Sequence, residues 1–153
     1  MKKTFILVIL SFVTLAESII QAYPPFVFET VTTRDGLSSH DVRCIAQDKF
    51  GLMWFGTDEG VNRYDGTRFD IFKHTRSLQS GLNSSWINCI YEDSEGNLWI
   101  GTEKGVSIFD IETGKLEVLS DKNDAGKWLV SQRVSAFHEN KDGSMWVGTR
   151  QGL

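Results

Sequence analysis

The chain has 153 residues, of which 41% are hydrophobic and 24% charged, with a formal net charge of -4 and a mean hydropathy of -0.21. This is a globular composition, which excludes a low-hydrophobicity disordered chain. The acidic balance excludes a surface that binds nucleic acid by neutralising phosphates.

Residues 1–22 come first. Lys2 and Lys3 precede an apolar run from Phe5 to Leu15, followed by Ala16, Ser18 and Ala22. A basic start, a short apolar core and small residues form the layout of a secretory signal peptide, cleaved after Ser18 or Ala22. The run is about half the length a helix needs to cross a bilayer. The expected location is therefore outside the cytoplasm. After residue 22 no segment is long and apolar enough to span a membrane.

Residues 23–41 follow as a closing strand and lead-in loop. The strand itself, 26–32, stands about one strand ahead of Leu37, as Phe72 does ahead of Leu82 and Leu119 ahead of Leu129. It is expected to be a fourth strand without a first, second or third of its own.

From here the sequence repeats. Trp54-Phe55-Gly56-Thr57-Asp58-Glu59-Gly60 recurs as Trp99-Ile100-Gly101-Thr102-Glu103-Lys104-Gly105. It recurs again as Trp146-Val147-Gly148-Thr149-Arg150-Gln151-Gly152. The Trp spacings are 45 and 47, and Val42, Ile87 and Val134 share the slot twelve residues earlier. A period near 45 with short strands is the signature of a propeller blade.

Each unit divides into strands A to D. Strand A is expected at Val42–Gln47, Ile87–Glu92 and Val134–Glu139. Strand B is expected at Leu52–Gly56, Leu98–Gly101 and Met145–Gly148. Strand C falls at Val61–Tyr64 and Val106–Phe109 and starts again at Leu153, and strand D at Phe69–Phe72 and Leu116–Leu119. The A–B turns read Asp/Asn-x-x-Gly: the side chain bonds turn amides and Gly accepts positive φ. The fold class is an all-β propeller of four-stranded antiparallel blades, incomplete. Its inventory is the closing strand, blade 1 at 42–73, blade 2 at 87–119 and a partial blade 3 at 134–153. Propellers use roughly four to eight blades, so the chain reads as the start of a longer protein or the product of a truncated gene.

The repeat assigns structural roles to Trp54, Gly56, Thr57 and Gly60, to Trp99, Gly101, Thr102 and Gly105, and to Trp146, Gly148, Thr149 and Gly152. A repeated Trp on strand B packs between sheets, and each ring could bury roughly 200 Å². Cys44 and Cys89 share a slot with Ala136. A slot that takes Cys or Ala asks for a small buried residue, and equivalent sites on adjacent blades are too far apart for a disulfide. Free, packed thiols are expected.

The unit Val42-Arg43-Cys44-Ile45, Asp48, Gly51, Trp54-Phe55-Gly56-Thr57, Gly60-Val61, Tyr64-Asp65 resembles the two-component regulator propeller repeat. So does Ile87 through Asp110. The lead-in Thr33-Arg34-Asp35-Gly36-Leu37 is also similar to that family's approach to its first blade. The resemblance implies the N-terminal periplasmic part of a Bacteroidetes-type hybrid two-component sensor histidine kinase. It implies further blades and downstream domains as partners, an inner-membrane anchor, an oligosaccharide signal and a possible homodimer in the full-length sensor. Kinase chemistry would belong to parts outside these residues.

No catalytic, cofactor or metal site is expected. His40, His74 and His138 fall at unrelated repeat phases without metal-ligand spacing, and no nucleophile motif accompanies the serines. Binding is the expected use. In a propeller the D–A and B–C loops share one face, and the candidate ligand or partner surface there is Arg34, His40, Trp86, Trp128 and Arg133. Trp86 and Trp128 lie off the repeated Trp slot, and exposed aromatics suit stacking on sugar rings. The alternatives are loop anchors or contacts to a neighbouring blade. Two other functions stay open: a non-signalling exported interaction or carbohydrate-binding propeller, and a propeller enzyme such as a lyase or quinoprotein.

Overall fold

The computed structural model describes residues 27–75, 81–119 and 132–153. The signal-peptide reading and Trp128 lie outside the described residues. Two compact units are defined, Met1–Thr30 and Val31–Leu153; all of the following elements belong to the second.

Among the described residues, ten strands form three antiparallel sheets in chain order. β1 (Val42–Gln47), β2 (Met53–Thr57), β3 (Gly60–Tyr64) and β4 (Phe69–Phe72) make blade 1. β5 (Ile87–Glu92), β6 (Asn97–Thr102), β7 (Gly105–Asp110) and β8 (Leu116–Val118) make blade 2. β9 (Val134–Glu139) and β10 (Met145–Thr149) make a two-stranded third sheet. Every strand A occupies the span expected from the repeat.

The B–C hairpins are tighter than expected. Thr57 pairs with Gly60 and Thr102 with Gly105, so only two residues remain in each turn. The reason is the threonine: Thr57 Oγ1 donates to Gly60 O at 2.9 Å and accepts from Glu59 N at 3.0 Å. The strands therefore extend to Thr and begin at Gly. In the third unit this leaves only an isolated bridge, Thr149 to Gly152, before Leu153.

Residues 27–32 carry no strand pairing, and Val27 and Phe28 are exposed. A strand D pairs with a strand C, and β3 and β7 are already paired with β4 and β8. No strand C among the described residues is left for this segment.

The A–B turn does two jobs with one carboxylate. Asp48 Oδ1 accepts from Phe50 N and Leu52 N at 3.0 and 2.9 Å, and Oδ2 accepts from Trp54 Nε1 at 2.8 Å. Gly51 closes the turn at φ 86°. Asp93 repeats the arrangement for Trp99 at 2.7 Å. Burial pushes the Asp93 carboxyl up, but the bonds from Trp99, Asn97 and Glu95 outweigh it and hold the group below the usual carboxylate range. Asn140 takes this place in unit three and bonds Ser144 instead, at 2.8 Å.

The core lies between blades. Trp54, fully buried, points from blade 1 into blade 2 and meets Phe109 at 5.1 Å and Phe72 at 6.0 Å. Val61, Leu82, Ile87, Leu98 and Ile100 complete the buried cluster. Trp99 makes the same approach to blade 3 and meets Phe137 at 5.9 Å. Trp146, with no further sheet packed on it among the described residues, is 50% exposed.

Both cysteines are free and sit under this packing. Burial raises the Cys44 thiol to about 11. Burial, with a smaller effect from neighbouring Cys44, raises Cys89 to about 12. Both are therefore protonated and poor nucleophiles near neutrality. Iodoacetamide at pH 8 should leave the native thiols unlabelled and modify both in denaturant. Fast native labelling would show that the blades do not pack as described.

Candidate functional site

Rigid hairpins present the D–A and B–C loops on one face. Backbone bonds fix this: Glu103 N donates to Trp86 O at 3.1 Å, and Arg150 N to Arg133 O at 3.1 Å. The A–B and C–D turns meet on the other face, where Lys49 of blade 1 reaches Glu112 of blade 2 at 3.1 Å.

The loops that lead into blades 1 and 2 are each latched to their own blade by buried polar groups. In blade 1, Ser38 N donates to Asn62 Oδ1 at 2.8 Å and Asn62 Nδ2 donates to Ser38 Oγ at 2.9 Å, while Ser38 Oγ lies 2.9 Å from Thr57 Oγ1. In blade 2, Asn83 Oδ1 accepts from Thr102 Oγ1 at 2.9 Å and from Ser107 Oγ at 3.2 Å. The two partners have exchanged identities: serine on the loop and asparagine on the strand, then the reverse. Asn62, Thr57, Thr102 and Ser107 are fully buried, so each bond is made away from water, where an unpaired group is costly.

The candidate residues fall in three places. Arg34 lies in a short 3-10 turn, Thr33–Asp35, capped by Thr32. His40 follows in the same loop, its Nε2 3.0 Å from Thr33 Oγ1. Trp86 ends the next D–A loop and is 40% exposed. Arg133 ends the third and pairs with Glu103 at 3.2 Å. The structure joins Arg34 to His40 through Thr33; the other two stand on separate blades.

One neighbour of Trp86 is not apparent from the repeat. The Arg43 guanidinium lies 4.4 Å from the Trp86 ring centroid and also bonds Asp41 at 3.1 Å. Arg43 comes from strand A of blade 1 and so bridges to the loop of blade 2. Its repeat equivalents are Asn88 and Ser135, and that change of residue type was the signal available in the sequence. Near the same end of the blades, Asp58 Oδ1 and both polar side-chain atoms of Asn88 are buried without a hydrogen-bond partner.

A cavity of about 190 Å³ lies between blades 2 and 3, lined by Asp93, Ser94, Trp99, Glu139 and Met145 among others. Two of its carboxylates are engaged: Asp93 holds Trp99, and Glu139 accepts from Ser94 N at 2.8 Å and Ser94 Oγ at 2.6 Å. Lys49 is the repeat equivalent of Ser94 and lines the turn at Gly96 in the preceding junction. The cavity follows from the shorter side chain. Among the described residues no group of three metal-ligating side chains occurs.

Four-stranded antiparallel sheets stacked through a repeated Trp define an array of β-propeller blades. The sequence profile of the family described as Two component regulator propeller matches residues 36–59, 81–104 and 129–151, so the chain carries three matches to that repeat. It is 28% identical to the extracellular domain of the hybrid two component system BT3049 of B. thetaiotaomicron, with a TM-score of 0.69 over 80% of this chain and 18% of that one. The extracellular domain of the hybrid two component system BT4673 of the same organism is 24% identical, with a TM-score of 0.65 over 83% and 18%, and shares the fold. "Histidine kinase P4" of Formosa agariphila is 47% identical over 49 residues, which are 32% of this chain and 4% of that protein. The chain thus spans a small part of each relative.

Proposed function

We propose that this chain is part of the periplasmic ligand-sensing propeller of a hybrid two-component sensor kinase, and that it perceives and relays an oligosaccharide signal without catalysis. One observation carries the reading: three regulator-propeller repeats fold as blades like those of an extracellular sensor domain. The partners in this reading are further blades and downstream domains of a longer chain, with no cofactor. The ligand surface is the D–A and B–C face around Trp86. An exposed indole offers a flat apolar surface to a sugar ring. Arg43, 4.4 Å from the ring, and its partner Asp41 supply donors and acceptors beside it, and rigid strands hold the loops in place.

Calorimetric titration with oligosaccharides from partial digestion of laminarin, alginate and pectin tests this. At least one should bind. Trp86→Ala should lower its affinity at least tenfold with the melting temperature unchanged. Full affinity in that variant would move the site off this face. Binding with no kinase encoded downstream would favour the non-signalling carbohydrate-binding propeller.

A further inference from the structure

The two blade junctions handle positive charge differently. Where blade 2 meets blade 3, the cation is Arg133 at the end of the D–A loop, and Glu103 of the preceding blade takes it up at 3.2 Å. The same two positions where blade 1 meets blade 2 are Trp86 and Asp58. The loop cation has become an indole, and Asp58 Oδ1 has no hydrogen-bond partner. The positive charge comes instead from Arg43 on β1, whose repeat equivalents Asn88 and Ser135 are uncharged. This junction is interior: both flanking sheets have all four strands.

Arg43 is held in a way that keeps donors open. Its guanidinium lies over the Trp86 ring, 4.4 Å from the centroid. Contact with the ring face restrains the group without using an N–H. Nη2 donates to Asp41 at 3.1 Å, and no second carboxylate among the described residues pairs with Arg43. A guanidinium carries several more N–H donors. An edge therefore remains that fits two oxygens of a carboxylate or a sulfate.

The surroundings suit an anion. Glu103 N donates to Trp86 O at 3.1 Å and Asn83 Nδ2 to Lys104 O at 2.6 Å, so the Glu103–Lys104 turn rests on the Trp86 loop. Lys104 is exposed and has no carboxylate partner among the described residues. The Glu103 and Glu59 carboxylates are already paired, with Arg133 and Lys73. The opposite face is acid-rich: there blade 2 alone contributes Asp93, Glu95, Asp110 and Glu112 against Lys115.

We infer that the glycan taken by this face is acidic, and that Arg43 binds its carboxylate or sulfate beside the Trp86 indole. This rests on the reading above that the Trp86 face binds an oligosaccharide; it adds the charge of the ligand and the residue that reads it. A sugar ring would lie against the exposed part of the indole, with its anionic group on the open edge of Arg43. Lys104 adds a second positive charge at the rim.

Calorimetric titration of the full chain with four oligosaccharide sets tests the inference: laminarin is neutral, pectin and alginate carry carboxylates, and carrageenan carries sulfate. At least one acidic set should bind, and its carboxyl-reduced or desulfated form should bind about tenfold more weakly or worse. Which set binds tells carboxylate from sulfate. Arg43→Gln should bring the acidic and neutralised forms to equal affinity. Arg43→Lys keeps the charge without the fork and should give an intermediate ratio. A folding defect would lower both forms together, so the ratio separates recognition from stability. Three results would overturn the inference. Laminarin or a neutralised form could bind as tightly as the acidic sets, which would keep the glycan reading and remove the charge from it. An acidic set could bind with its ratio unchanged in Arg43→Gln, which would place the anion elsewhere. No set could bind, and the glycan reading would then fall as well.

Discussion

Trp54→Ala should destabilise the chain by about 3–5 kcal/mol, the range for deleting a fully buried large aromatic. The indole fills the junction of blades 1 and 2 against Phe109 and Phe72. Its loss also leaves Asp48 Oδ2 without its donor in a buried setting. The same substitution at Trp146 should cost less than about 1 kcal/mol, because half of that ring is already in water. Trp99→Ala should fall between. Urea melts read by circular dichroism give the ranking. Equal losses at all three sites would contradict junction packing as the source of the effect.

Gly101→Ala should be nearly as damaging, from a single methyl. A β-carbon there would lie 2.8 Å from Val134 Cγ1 and 3.1 Å from Phe137 Cε2 and would strike Cys89 Sγ. All three atoms are held by strands A of blades 2 and 3, so the sheets must separate. Overpacking of this kind costs about 1–3 kcal/mol. Gly148→Ala meets only Ala136, at 3.5 Å, which is ordinary contact. It should be neutral within about 0.5 kcal/mol. A large loss at Gly148 would show that the third sheet is packed differently.

Much of the fold was legible because each blade is punctuated by residues with little conformational choice. Asp48, Gly51, Trp54 and Gly60 recur in register, and their turn chemistry fixes the strand ends to within a residue or two. The unequal burial of Trp54, Trp99 and Trp146 was not legible, since three identical slots differ only in what stands beside them. The candidate surface was less readable still. Trp86 stood out by lying off the repeat, but Arg43 reaches it from another blade, and no local spacing encodes that approach. The Ser38–Asn62 latch was hidden for a related reason. Its two halves lie 24 residues apart, and the identities swap in the next blade, so each position looks variable when only the pair is constant.

That swap has a consequence for how such a gene can change. Tandem repeats invite unequal crossing-over, which splices the front of one unit to the back of another. A crossover between the codons for Ser38 and Asn62, joined to the equivalent point in the next unit, yields serine facing serine or asparagine facing asparagine. The first leaves a gap and unpaired groups; the second crowds two amides into a space that holds one. Recombinants joined outside that interval keep the pair intact. The latch thus makes the stretch from Ser38 to Asn62 an indivisible unit of inheritance, shorter than a blade and offset from its boundaries.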